Sequence, residues 1–110
     1  MVIKSKDVIE EDFGAIKVKD IFHPKNIQNF SVAIVRVVGI NRRHKNKSSS
    51  LFFYVLVGNG SFTIDDEINE VEAGDGVFIP KGTTYLDSGQ MTVLVVSSPR
   101  YDDSAVAYLE

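Results

Sequence analysis

The sequence predicts an all-β domain, a sandwich or barrel of antiparallel strands. Short segments rich in β-branched and aromatic residues alternate with turns rich in glycine, proline and asparagine, which is typical of that class. No segment keeps the period of an amphipathic helix over several turns, and there is no internal repeat. The chain has 110 residues, of which 44% are apolar, and this fits one globular domain.

Composition and charge exclude several classes of function. The formal net charge is -3 at pH 7, which argues against a protein whose main role is binding nucleic acid. Cysteine is absent, so disulfides, thiolate metal sites and cysteine nucleophiles are excluded. No apolar run approaches the roughly 18 residues that a membrane helix needs, and residues 1–11 carry no signal-peptide core. We therefore expect a cytoplasmic protein without a membrane partner.

Residues 31–64 predict three strands, of which the first two are separated by a loop. Ser31–Val38 is rich in β-branched residues and apolar on both faces, as in a strand covered on both sides. Asn41–Ser50, with its basic residues and serines, predicts a mobile polar loop. Leu51–Val57 is the strongest strand, again with two apolar faces. Asn59-Gly60 then predicts a hairpin turn into a return strand at Ser61–Ile64.

The second half predicts three further strands. After a turn at Asp65-Asp66-Glu67, the first of them is Ile68–Val71. Gly76–Ile79 ends at Pro80-Lys81-Gly82, where proline presets φ and glycine supplies backbone freedom, and the chain resumes extended structure near Tyr85. A turn at Asp87-Ser88-Gly89 is expected to precede the last buried strand, Met91–Ser97.

Two segments of the chain resemble the paired motifs of the cupin superfamily. Gly74, Pro80 and Gly82 match the second motif, G-x5-P-x-G-x2-H-x3-N, in register. Gly58 matches the glycine that ends the first motif, which runs G-x5-H-x-H, three or four residues, and then E-x6-G. The resemblance extends over residues 32–99 and implies a double-stranded β-helix, the jelly-roll barrel of the cupins.

The resemblance also implies how the chain is organised. We expect a single cupin domain over residues 1–110, with a core at 31–99, an N-terminal arm at 1–30 and a C-terminal tail at 100–110. Single-domain cupins commonly form dimers by packing their sheets together. The strands predicted at Ser31–Val38 and Leu51–Val57 have two apolar faces each, which one small barrel does not fully cover. We therefore expect a homodimer.

The metal ligands of the family are mostly replaced in this chain. Tyr85 stands at the histidine of the second motif and Gly89 at its asparagine. Counting back from Gly58 places Leu51 at the glutamate of the first motif. Leucine has no donor atom, and a phenol must lose a proton from a pKa near 10 to ligate well. The typical metal site is therefore not expected.

The two histidine positions of the first motif depend on the gap that follows them. A four-residue gap places His44 and Asn46 there, whereas a three-residue gap places Lys45 and Lys47 there. A transition metal needs three or four donors at roughly 2.0–2.3 Å, and one expected ligand survives. We predict no cofactor. If a divalent metal does bind, its candidate ligands are His44, Asn46 and Tyr85.

The candidates for binding a small molecule are Arg36, His44, Phe53 and Tyr85, and no catalytic residue can be assigned. For His44 we favour an exposed loop histidine over a pocket residue. Tyr85 is either a hydrogen-bonding group at the barrel mouth or a packed aromatic side chain. Arg36 interrupts an apolar strand, and we favour an ion pair, or a stem lying on apolar surface, over a clamp for a carboxylate or phosphate.

The expected lining of the barrel is apolar. Leu51, Phe53 and Val55 share the face that the glutamate of the family occupies, and three further residues would join them: Tyr85, Val93 and Val95. We favour a filled barrel or a narrow apolar pocket over a catalytic cavity. For the basic cluster near the expected mouth we favour a solvated loop over attraction of an anionic ligand; its members are Arg42, Arg43, Lys45 and Lys47.

Three functional hypotheses follow from the sequence. The favoured one is a cupin that lacks the usual metal site and binds a small molecule, or acts as an accessory or sensor domain. The alternative is a cupin-type enzyme, a sugar isomerase or epimerase or an oxygenase, with a non-standard metal site near His44 and Tyr85. The third is a structural homodimeric interaction module. Fold alone decides little among them, because cupin barrels support many chemistries.

Overall fold

Nine strands form one continuous curled sheet in the computed structural model, which describes residues 1–109. In chain order they are β1 (Glu11–Asp12), β2 (Ile16–Phe22), β3 (Ser31–Ile40), β4 (His44–Asn46), β5 (Ser50–Ile64), β6 (Glu67–Glu72), β7 (Gly76–Ile79), β8 (Tyr85–Ser98) and β9 (Val106–Tyr108). The described part also contains two single turns of 3₁₀ helix, Ser5–Asp7 and Asp103–Ala105. The all-β prediction is confirmed.

The long strand β8 holds the sheet together. One of its edges pairs with β3, from Ser31 opposite Ser97 to Ile40 opposite Ser88. Its other edge pairs with β5 along nearly the whole length of both strands. The first residue of β8 also pairs with β4, and β4 pairs in turn with the C-terminal strand β9. The C-terminal strand β9 therefore lies one strand away from the start of β8, with β4 between them.

Alternation along the long strands places one set of side chains inside the barrel. Leu51, Phe53 and Val55 are all buried, so the prediction that they face inward is confirmed. They pack in one cluster with residues of β3, β7 and β8, among them Val35, Val37, Val77, Ile79, Met91, Val93 and Val95. Burial of these apolar side chains is the main source of stability available to the sheet.

The turns predicted at Asn59-Gly60 and at Asp87-Ser88-Gly89 are wrong, because β5 and β8 run straight through them. The glycines serve a different purpose there. Gly60 pairs with Gly89, and a Cβ on Gly60 would lie 2.2 Å from the carbonyl oxygen of Ser88. Glycine at these positions permits close approach of two backbones. In the sequence, such a glycine looks the same as a glycine in a turn.

The other turns lie where they were predicted. Asp65 and Asp66 have φ values of 46° and 71°, the left-handed pair that a tight hairpin requires, and they join β5 to β6. Pro80-Lys81-Gly82 follows β7, and β8 opens at Tyr85 as expected. The segment that carries the second motif thus has its predicted shape.

The sheet also includes part of the segment predicted as a loop and part of the N-terminal arm. The prediction of a mobile loop over Asn41–Ser50 is wrong: this segment contains β4, and His44, Asn46 and Ser49 within it are buried. Within residues 1–30, β2 pairs with β3 along its whole length. No helix among residues 1–109 is long and apolar enough to cross a bilayer.

Candidate functional site

A cavity of about 840 Å³ opens inside the barrel, within the size range of small-molecule sites. Apolar residues on one part of its lining come from β2, β3, β5 and β8, and Leu51, Phe53, Tyr85 and Val95 are among them. Polar residues come from the connection between β3 and β4, from β4 and β8, and from the C-terminal segment, including Asn41, His44, Asn46, Asp87, Tyr101, Asp102 and Asp103. The favoured expectation of a filled barrel or narrow apolar pocket is therefore wrong, because the returning C-terminus and β4 supply polar walls.

His44 lies in the middle of an aromatic row inside this cavity. In the sheet it pairs with Tyr85 on one side and with Tyr108 on the other. Its ring centroid is 4.4 Å from that of Tyr85 and 5.7 Å from that of Tyr108. Only 9% of His44 is exposed, so the favoured interpretation as an exposed loop histidine is wrong. Packing between two aromatic rings holds the imidazole in one orientation.

The hydrogen bond that His44 makes defines the state of its ring. Nδ1 lies 2.6 Å from the backbone carbonyl oxygen of Arg42, and a carbonyl oxygen can only accept. Nδ1 therefore carries the proton. Nε2 has no hydrogen-bond partner in the part of the chain that the structure describes. In the neutral ring Nε2 is consequently an acceptor, available to take a proton from a ligand in the cavity.

Tyr85 places a protonated phenol beside His44. Burial raises the pKa of Tyr85 well above its ordinary value, and the nearby Asp87, Tyr101 and Tyr108 raise it further. The phenol therefore remains a hydrogen-bond donor across the physiological range. Its ring also packs against Phe53, with centroids 5.8 Å apart. Tyr85 is therefore a packed aromatic side chain, and its phenol is also a hydrogen-bonding group in the cavity lining, so each of the two interpretations is right in part.

Asp87 is a site residue that the sequence did not reveal. Burial raises the pKa of Asp87, while a hydrogen bond from Asn41 and the charge of His44 lower it. The Nδ2 of Asn41 donates to Oδ1 of Asp87 over 3.0 Å. The available clue was spacing: once β8 is known to begin at Tyr85, Asp87 lies on the same face two residues later.

Asn46 lies two residues after His44 on the same face of β4, and 3% of it is exposed. Its Oδ1 accepts hydrogen bonds from the backbone N–H groups of Ser48 and Ser49, at 3.0 and 2.8 Å. These bonds assign the amide, because the atom that faces two donors must be oxygen. Its Nδ2 is buried without a hydrogen-bond partner among residues 1–109.

Arg36 does not belong to this site. Its guanidinium donates to both carboxylate oxygens of Glu10, at 2.9 and 2.8 Å, on the outside of the barrel. The favoured interpretation as an ion pair is confirmed, and the candidacy of Arg36 as a clamp inside the barrel is wrong. The cause is alternation along β3, which points its neighbours Val35 and Val37 into the core and Arg36 outward.

The basic cluster after β3 also lies outside the cavity lining. Arg42 stacks on Tyr108, with its guanidinium carbon 4.4 Å from the ring centroid, and Arg43 pairs with Asp66 over 2.9 Å. The lining itself carries one arginine, Arg100, and a larger set of carboxylates: Glu11, Asp20, Asp87, Asp102 and Asp103. An anionic ligand would therefore meet an unfavourable field inside the cavity.

The donors in the cavity do not fit the metal site that the resemblance implies. Within residues 1–109, no three or more His, Asp or Glu side chains are grouped closely enough to hold a metal ion. Leu51 offers no donor, and the phenol of Tyr85 keeps its proton. The unpartnered atom of Asn46 is a nitrogen that donates, with its oxygen already engaged. This set suits hydrogen bonding to a ligand better than coordination of a cation.

The chain is similar to known proteins both in sequence and in structure. A family profile described as "Cupin domain" matches residues 34–86. An uncharacterized protein of Methanocaldococcus jannaschii is 32% identical over 115 residues, which covers 97% of this chain and 90% of that protein. The likeness therefore extends over nearly the whole length of both chains.

Solved structures with the same shape have low sequence identity. Pac13, described as a unique nucleoside dehydratase, superposes with a TM-score of 0.91 at 18% identity, covering 100% of this chain and 91% of its own. Variants of the Streptomyces protein have been solved with uridine. KdgF from Halomonas sp. has a TM-score of 0.81 at 19% identity, covering 94% of this chain and 97% of its own. These likenesses confirm the jelly-roll barrel.

Proposed function

The chain belongs to the cupin superfamily, and from that premise we propose that it is a metal-independent cupin that binds a small polar molecule inside its barrel. The observation that carries this proposal is the composition of the cavity. His44, Asn46 and Asp87 are buried polar residues that line it together, and the unpaired nitrogens of His44 and Asn46 suit hydrogen bonds to a ligand. Buried polar groups cost stability, so their convergence in one cavity favours a binding role.

The first prediction concerns binding without metal. Protein purified without an affinity tag and treated with a chelator is expected to bind at least one of uridine, cytidine, ribose and glucose, measured by NMR titration. His44→Gln is expected to weaken that binding about tenfold, because it removes the ring nitrogen that is available to a ligand. The matched control is Arg36→Gln, which breaks the outer ion pair with Glu10 and is expected to bind as the wild type does.

Three results would contradict the metal-independent proposal. One is near-stoichiometric iron, manganese, nickel or zinc in protein purified without a tag. Another is binding that disappears on chelation and returns with metal. The third is no binding of any of the four probes to the wild type at millimolar concentration. Each can be read directly from metal analysis or from the titration, without knowledge of the natural ligand.

A second candidate function is elimination of water from a hydroxylated carbonyl compound. The structural likeness to Pac13 and the contact between His44 and Tyr85 favour it. In this step Nε2 of His44 takes the proton from the carbon next to the carbonyl, a C=C bond forms, and the β-hydroxyl leaves. The imidazolium returns its proton to that hydroxyl, which departs as water. Mass spectrometry for a product lighter by one water, absent with His44→Gln, tests it.

We also propose that two copies pack together through an outward apolar face of the sheet. One row of this face runs across four strands in register: Val32, Val96, Phe52 and Phe78. Phe52 is 44% exposed and Phe78 is 60% exposed. The next row contains Ile34, Leu94 and Tyr54. A continuous apolar face of this kind is typical of an interface between identical subunits.

The corresponding prediction is a change of mass in solution. The wild type is expected to be a dimer at micromolar concentration, whereas Phe78→Lys is expected to be a monomer, because a charge on the apolar row must be desolvated on association. Ile68→Lys is the matched control, since Ile68 is equally apolar and 70% exposed but lies on β6. Analytical ultracentrifugation decides the matter, and a monomeric wild type would contradict the proposal.

A further inference from the structure

Asn46 presents an unusual combination of a fixed amide and an unsatisfied donor. Two backbone N–H groups hold its Oδ1, which leaves no freedom for the amide to flip. Its Nδ2 is buried and has no hydrogen-bond partner among residues 1–109. The residue lines the cavity beside His44. A turn that needs Oδ1 thus forces a donor to remain available to whatever occupies the cavity.

The chemistry of this donor restricts its partner. A buried donor without an acceptor costs about 1–3 kcal/mol, so a partner that supplies an acceptor is strongly favoured. The N–H groups of an amide carry partial positive charge, and they repel a cation while attracting an oxygen with lone pairs. The partner of Asn46 is therefore an acceptor with a lone pair, such as a carbonyl, hydroxyl or ether oxygen. A water molecule can fill this position until the ligand displaces it.

The charge of the lining restricts the ligand as a whole. Carboxylates outnumber the single arginine, Arg100, which also donates to the backbone carbonyl oxygen of Pro24. Binding of a phosphorylated or carboxylated compound in this cavity would therefore cost free energy. His44 and Asn46 are separated by two residues along a strand, or about 7 Å, which matches the span of one sugar ring with its hydroxyl groups.

From these observations we infer that the ligand is an uncharged, hydroxylated molecule that presents an acceptor oxygen to Nδ2 of Asn46 while a neighbouring group meets Nε2 of His44. This inference rests on the proposed function, since it names the class of ligand for the same cavity. It assigns to Asn46 the role of a specificity residue. The position that resembles a metal ligand in the family motif thus recognises an oxygen of the ligand.

The test uses a variant that removes the donor and retains the turn. Asn46→Asp keeps an oxygen that can accept from the N–H groups of Ser48 and Ser49, and it replaces Nδ2 with a second acceptor. At about pH 8 the new carboxyl is expected to be ionised, so it cannot donate. The variant is expected to bind uridine at least tenfold more weakly than the wild type does, in isothermal titration. Lys47→Gln, an exposed change next to Asn46, is the control and is expected to bind normally.

Two further measurements make the result independent of that variant. Uridine 5′-monophosphate, which differs from uridine by its charge, is expected to bind the wild type at least tenfold more weakly than uridine. The side-chain amide resonance of Asn46 in ¹⁵N-labelled wild type is expected to shift on addition of uridine, and ribose serves as a second uncharged probe. Together these readouts separate loss of the donor from loss of the fold.

The outcomes distinguish this inference from the proposed function. Binding of uridine or ribose that Asn46→Asp leaves within twofold of the wild type would overturn the role of Asn46. Equal or tighter binding of the monophosphate would overturn the uncharged class. Failure of both uridine and ribose to bind the wild type would overturn the inference, and together with failure of cytidine and glucose it would overturn the proposed function too.

Discussion

Gly60→Ala is expected to destabilise the protein by about 3 kcal/mol or more, a large part of the 5–15 kcal/mol that is typical of a small domain. The new Cβ would lie 2.2 Å from the carbonyl oxygen of Ser88, a backbone atom. That oxygen cannot retreat easily, because β5 and β8 pair continuously on both sides of this point. Relief would require separating two central strands, and overpacking of this kind is costly.

Urea denaturation of Gly60→Ala and Gly74→Ala separates crowding from backbone conformation. Gly74 has a φ of 98° and would place its Cβ with nothing within 4 Å. Its replacement is expected to cost only the conformational strain, about 1–2 kcal/mol. Gly60 has no such φ, so its loss reports the close approach alone. Equal destabilisation by the two variants would show that β5 and β8 are further apart at Gly60 than the distance of 2.2 Å implies.

These glycines also explain which parts of the fold the sequence could predict. The strand Gly76–Ile79 and the start of β8 at Tyr85 were predictable, because proline and alternating apolar residues act locally. Asn59-Gly60 was misread as a turn, since a glycine that permits close approach and a glycine that permits a turn look the same in sequence. The difference lies in a partner strand about thirty residues away, which no local pattern contains.

The candidate site also contains residues that the sequence could predict and residues that it could not. The sequence predicts Phe53 and Tyr85 in the lining, because apolar alternation and the motif resemblance place them on the inner face, where both are buried. The polar neighbours of His44 in sequence are typical of an exposed loop, although His44 itself faces a polar cavity. The C-terminal strand β9, which covers β4, comes from the other end of the chain. Burial that depends on such a distant segment cannot be derived from local composition.

Asp87 is expected to affect both the stability of the protein and the pH dependence of ligand binding. Its carboxyl is buried, and burial raises its pKa above the ordinary value near 3.8 despite the hydrogen bond from Asn41 and the charge of His44. The unfolded chain therefore releases this proton at a lower pH than the folded protein does. The stability that Asp87 contributes is fully present below the unfolded pKa and is lost as the pH rises through the folded pKa.

Asp87→Asn is accordingly expected to stabilise the protein at neutral pH, by more than the roughly 0.5 kcal/mol typical of surface substitutions. The amide keeps an oxygen that can accept from Asn41 and removes the group that must ionise while buried. The gain should be small at about pH 3 and should grow as the pH is raised towards 7, in urea denaturation at each pH. Asp103→Asn, an exposed carboxylate that lines the same cavity, is the control and is expected to change little.

The same variant is expected to change the pH dependence of ligand binding as it gains stability. Asp87 lines the cavity together with His44, and the charge of its carboxyl depends on pH, so its removal is expected to change how ligand binding depends on pH. Uridine binding to Asp87→Asn should therefore follow a pH profile displaced from that of the wild type, whereas Asp103→Asn should keep the original profile. A variant that is stabilised and shows an unchanged profile would mean that the charge of Asp87 does not affect ligand binding. A destabilised variant would mean that the buried carboxylate supports the barrel through contacts that an amide cannot replace.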